Sequence, residues 1–122
     1  MEASGSRAPR ALNERERQVL ERLLAVEFTG AANLRAQAES VRVREQWPDG
    51  PSIDLIVDAS APSAEVDGRV PVEGRWSHPE SGAPYELLLH VIDGRLGTVE
   101  LVDGWGAEEL VELPPADDIE IS

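Results

Sequence analysis

Near residue 40 the apolar residues stop recurring every three or four positions and begin to alternate, which divides the chain into a helical part and a sheet part. Upstream, Val19, Leu20, Leu23, Leu24 and Val26 recur at helical spacing, with Glu14, Arg15, Arg17, Gln18, Glu21 and Arg22 on the wet side. Asn13, followed three residues later by Glu16, is the Asn variant of a capping box. The amide oxygen takes up an orphan N–H of the first turn and the carboxylate answers the cap's own N–H. These signals predict an amphipathic helix over about 14–26, ended by Thr29-Gly30. The stretch AANLRAQAE, with Leu34 as its main apolar anchor, predicts a short second helix.

Downstream, SVRVREQW sets Val41 and Val43 against Arg42 and Arg44, the alternation of a half-buried strand. SIDLIVD is a second strand and RVPVEGRWS a third. The third is expected at an edge or bulged, because Pro71 cannot donate to a ladder and Gly74 weakens it. YELLLHVI, residues 85–92, is nearly continuous apolar and predicts a strand covered on both faces. Asp93-Gly94 turns it into RLGTVELV, and a short last strand is expected at Leu110 to Leu113 before Pro114-Pro115 breaks it. If the turn has two residues, His90 faces Gly97 and shares a face with Glu86, Leu88, Ile92, Val99 and Leu101.

Helix first and hairpin-linked strands after it specify an α+β domain: an amphipathic helix and a short second helix on one face of an antiparallel sheet of about five strands. With 122 residues there is enough chain for one core. The expected division is a disordered leader at 1–11, a domain at 12–115 and an acidic tail at 116–122.

Most chemistries fail on residue type. There is no cysteine, so disulfides and thiolate sites are excluded. Asp-Gly pairs occur at 49-50, 67-68, 93-94 and 103-104, and a calcium loop would need oxygen ligands at fixed offsets around such a pair. Leu89, Val99, Trp47 and Gly74 stand where ligands belong, so all four pairs are read as turns and no metal or other cofactor is expected. His78-Pro79-Glu80 begins like a zinc-deaminase signature, but that site requires cysteines. His78 is therefore read as a solvated turn residue. Phosphate loops, nucleophile elbows and basic patches with interleaved aromatics are missing, which speaks against nucleotide chemistry and nucleic-acid binding. Without a signal-like N-terminal segment or an apolar run long enough for a bilayer, the expectation is a cytoplasmic protein with no membrane partner, monomeric or homodimeric.

Charge is the informative quantity. Residues 1–45 carry eight Arg against seven Glu, whereas residues 46–122 carry three Arg against seventeen acids. A surface of that sign repels phosphate and steers a basic protein toward itself, although acidity of this degree also serves solubility alone. Trp47, Trp76 and Trp105 lie beside turns or strand ends, where Trp either plugs the sheet or anchors a partner. Asp49, Asp54, Asp58, Asp103, Trp105, Glu108 and Glu109 form the candidate interface.

LNERERQVLERLL, VEG-R, YELLLHVIDGRLGTVELVDG and ELPP, in that order, resemble small acidic bacterial proteins of the immunity-protein-like kind, a domain of unknown function. The resemblance spans residues 12–115 and lies on fold-determining positions, so it implies no site residues. It implies a cofactor-free binding module. Two functions are thus expected from this sequence: an acidic, non-catalytic module docking a basic partner protein, or a small enzyme or ligand-binding protein using His90 and Glu86 in a sheet-lined pocket.

Overall fold

A computed structural model describes residues 8–48, 50–66, 68–103 and 110–121. The fold is α+β, with two helices and one antiparallel sheet of seven strands, where about five were expected. In chain order the elements are β1 (Arg10–Ala11), α1 (Glu14–Leu24), α2 (Ala31–Ala38), β2 (Arg42–Gln46), β3 (Ile53–Ile56), β4 (Gly68–Ser77), β5 (Pro84–Ile92), β6 (Arg95–Asp103), a 3-10 turn (Ala116–Asp118) and β7 (Glu120–Ile121). Across the sheet the order is β1-β2-β3-β6-β5-β4-β7. The two extra strands are the two-residue edges β1 and β7, too short to leave a periodic signal.

α1 begins as its sequence dictates. The Asn13 side chain accepts from the Glu16 N–H at 2.8 Å, and the Glu16 carboxylate accepts from the Asn13 N–H at 2.9 Å. Glu16 does more than cap. It is buried, and its two oxygens receive a forked pair of bonds from Arg10 at 2.8 and 2.9 Å. This pair fastens β1, at the end of the stretch expected as a disordered leader, to the start of the helix. Burial pushes the Glu16 carboxyl up, but the Arg10 guanidinium and the Asn13 amide outweigh it and hold the group below the ordinary carboxylate range. Because the folded value is depressed, the stabilisation is present above the ordinary value near 4 and is lost as pH falls through the folded one. Glu16→Gln is therefore expected to cost about 1–2 kcal/mol at neutral pH. In chemical denaturation its deficit relative to the parent should shrink as the solution is acidified.

Buried Val19, Leu20, Leu23, Leu24 and Leu34 from the helices join Val43, Ile53, Leu55, Val72, Leu87, Leu89, Val91, Leu96 and Val99 from the strands in one apolar cluster. Residues beyond Pro115 contribute to it too. Ile119 is 1 % exposed, and its carbonyl receives the Arg22 guanidinium at 2.9 Å. Arg15 likewise donates to the Leu113 carbonyl at 2.7 Å. The last strand is accordingly β7, paired with Gly74 and Arg75 of β4, and not residues 110–113, which have no strand structure. β4 is bulged between Arg69 and Glu73, around Pro71, as its composition anticipates.

Asp93 and Gly94 both have positive φ, 53° and 76°, so the β5–β6 connection is the two-residue turn expected of an Asp-Gly pair. Beyond it the register departs from the simple count. Ile92 faces Arg95 and Val91 faces Leu96, but His90 faces Thr98, which leaves Gly97 as an extra residue. This bulge exchanges the two faces of the rest of β6: Thr98 and Glu100, not Val99 and Leu101, stand beside His90. A Cβ on Gly97 would lie 2.7 Å from the Ile92 side chain, which explains why glycine occupies the position.

One polar side chain is fully buried among these elements. Gln37 on α2 accepts from the Leu96 N–H at 2.9 Å and donates to the Gly94 carbonyl at 2.9 Å and the Pro62 carbonyl at 2.8 Å. It thereby ties the second helix to the hairpin turn and to the β3–β4 connection.

Candidate functional site

Strand alternation sorts the sheet residues into two sets. Tyr85, Leu87, Leu89 and Val91 of β5 are buried, the last three in one cluster with the helices' apolar residues, whereas Glu86 and Ile92 are exposed and His90 is half-buried. β5 is therefore not covered on both faces; among its even-numbered residues only Leu88 is buried, in register between Glu73 and Glu100. Reading outward from β5 on this second face, cross-strand neighbours run His90, Thr98, Asp54 and Glu45 in one row, and Glu120, Arg75, Glu86 and Val102 in another. Its described side chains include six carboxylates, Glu45, Asp54, Glu73, Glu86, Glu100 and Glu120, against four arginines, Arg42, Arg44, Arg75 and Arg95. Arg95, at the turn, donates to the Ala59 carbonyl at 3.0 Å.

The face is braced by its own hydrogen bonds. Asp54 accepts from the Trp47 indole at 3.1 Å and from the Thr98 hydroxyl at 3.0 Å. His90 Nε2 lies 2.9 Å from Glu100 Oε1, with both side chains about one-third exposed (32 % and 29 %). Of the seven interface candidates, Asp54 is thus on this face and structurally engaged. Asp58 is not a sheet residue: it accepts from the Ser60 N–H and hydroxyl, both at 2.9 Å, and those bonds hold its carboxyl below the ordinary range. Asp49, Trp105, Glu108 and Glu109, and the Asp103 side chain, lie outside the described residues.

The second expected constellation is not assembled. His90 is paired with Glu100, while Glu86 lines a cleft of about 680 Å³ some distance along the strand that His90 does not line. That cleft is formed by the ends of β4, β5 and β7 and by the 3-10 turn, with Trp76, Tyr85, Arg75, Glu86, Asp118 and Glu120 among its walls. Trp76 and Tyr85 are neighbours across β4 and β5, their ring centroids 5.4 Å apart at 49°. The histidine beside them, His78, braces the hairpin turn: its Nδ1 accepts from the Glu80 N–H at 3.1 Å. The described residues contain no group of three or more side chains suited to hold a metal.

Arg75, Glu120 and Asp118 escaped the sequence reading because β7 left no signal. Glu73 and Glu100 escaped it because the bulges in β4 and β6 hide the parity of those strands. The pairing of Trp76 with Tyr85 was hidden as well: Tyr85 directly follows HPESGAP, whereas Ser77 separates Trp76 from it, and the two are opposite because Ser77 pairs with Pro84.

No protein-family model matches this chain, and comparisons with curated proteins and with solved structures return no significant match. The resemblance to immunity-like proteins therefore stands on the quoted motifs alone. None of the helices among the described residues is long and apolar enough to cross a membrane.

Proposed function

We propose that this chain is a non-catalytic acidic binding module. Its helices close one face of the sheet, and the opposite face docks a basic partner protein. The observation that carries the reading is the charge on that face: among the described side chains, six carboxylates against four arginines, one of them engaged at the turn. Exposed Glu45, Glu86 and Glu120 supply long-range attraction, and the braced network of Trp47, Asp54, Thr98, His90 and Glu100 supplies a preformed surface. A basic toxin neutralised by such a module is the version that the immunity-like resemblance implies.

The test is affinity capture with the full chain and with a Glu45→Gln, Glu86→Gln, Glu120→Gln variant. All three positions are exposed, so the fold should be retained. A basic protein should bind the parent at about 0.1 M salt and be lost at about 1 M, where the screening length falls from ~10 Å to ~3 Å. The triple variant should fail to hold it at either concentration. Equal retention by parent and variant, or at both salt concentrations, would contradict docking through this face.

A further inference from the structure

We infer that docking on the open sheet face is regulated by pH through His90, whose protonation weakens the hold on a basic partner; this regulation rests on the binding-module reading. His90 lies on β5, inside the sheet between β6 and β4, and its Nε2 is 2.9 Å from Glu100 Oε1. About one-third of each side chain is exposed, so a partner seated on the face meets the pair directly. With a neutral imidazole, Nε2–H donates to the Glu100 carboxylate and the pair carries one negative charge. A second proton, on Nδ1, makes an imidazolium and the pair carries none.

The groups around His90 keep their charge while this happens. Thr98 of β6 and Arg69 of β4 are in register with it, the Arg69 side chain lying outside the described residues. Glu100 of β6 and Glu73 of β4 flank the next position on that face, Leu88. Asp54 of β3 stands beyond Thr98 and accepts from its hydroxyl, and Asp93 and Arg95 lie at the turn. Among these side-chain classes only imidazole changes charge between about pH 5 and 8. One proton therefore moves the described balance of the face, six carboxylates against four arginines, from two net negative charges to one. The change falls beneath the bound partner, where water is excluded and salt screens less. A cation on the partner disfavours the imidazolium in turn, so linkage requires the partner to drive the proton off. The other histidine, His78, lies in the β4–β5 turn with its Nδ1 engaged by the Glu80 N–H, and serves as the control.

The experiment follows the isotope-labelled full chain by NMR while acetyl-(Gly-Arg)4-amide, a defined basic probe, is added at ~20 mM salt, at about pH 8 and at about pH 6. The amides of Asp54, Glu86, Thr98 and Glu100 should move saturably, with an affinity about fivefold weaker at the lower pH. The His90 imidazole signals should titrate at lower pH with the peptide than without it, a shift that a merely structural pairing with Glu100 would not show. His90→Gln cannot be charged, so its affinities at the two pH values should agree within about twofold, while His78→Gln should keep the parent's ratio. Equal parental affinity at both pH values, the parent's ratio retained in His90→Gln, or a His90 titration unmoved by bound peptide would each overturn the regulation and leave the binding-module reading in place. Open-face amides that stay still at ~5 mM peptide at both pH values would remove that reading, and the regulation with it.

Discussion

Gln37→Leu should lose about 1–3 kcal/mol of folding free energy, a sizeable fraction of the roughly 5–15 kcal/mol typical of a domain. Leucine is close in volume, so the loss does not come from a cavity. It comes from the groups left behind. The Leu96 N–H and the Pro62 carbonyl lose their Gln37 partner, whereas the Gly94 carbonyl keeps the Ala64 N–H at 2.8 Å. An unsatisfied buried polar group costs about 1–3 kcal/mol, and the Leu96 N–H becomes one, whereas Pro62 is an exposed residue whose carbonyl water can reach. The damage should be local as well as global, with faster amide exchange at the β5–β6 turn and through α2. Urea denaturation of parent and variant checks the magnitude. A change below about 1 kcal/mol would mean that water or a rearranged loop replaces the amide.

Gly74→Val should be comparably damaging, by about 2–3 kcal/mol, for the opposite reason of too much volume. A Cβ at this position would lie 2.8 Å from Ile119 Cγ2 and 3.2 Å from Leu87 Cβ, both in the apolar cluster, and 3.4 Å from Leu23 Cδ2. Neither of the two nearest atoms is the free end of a flexible chain, so the insertion must displace β7, the 3-10 turn or α1. Thermal unfolding of the variant should therefore be lowered and broadened, and Gly74→Ala should fall between it and the parent. An Ala variant as stable as the parent would show that the C-terminal segment is held more loosely on β4 than the packing implies.

These two positions also show why parts of the fold were legible and parts were not. The capping box at Asn13 and Glu16, the helical spacing around Leu20 and Leu23, and the Asp93-Gly94 turn are local signals, and each is found where the sequence puts it. Gln37 and Gly74 act through contacts 57 and 45 residues distant in the chain, with Gly94 and Ile119, and no local pattern announces them. The same holds for Arg10. Its pairing with buried Glu16 is close in sequence, but nothing in a polar leader marks one arginine as structural. For the candidate site the limit is parity. A strand reports which residues share a face only while its period is unbroken, and the bulge at Gly97 breaks it, hiding Glu100 from His90. The acidic character of the C-terminal two-thirds was readable as composition. That Asp54, Glu73, Glu86, Glu100 and Glu120 share one sheet face was not, because that depends on which strands are neighbours.

The proposed docking requires that this face meet the partner. Carboxylate labelling of the captured complex, read residue by residue by mass spectrometry, tests it most directly. Glu45, Glu86 and Glu120 should label readily in the free chain and become protected when the basic partner is bound, while exposed Glu21 and Glu39 on the helical side stay reactive throughout. Protection of Glu21 and Glu39 with Glu45, Glu86 and Glu120 unchanged would place the partner on the helices and contradict the assignment.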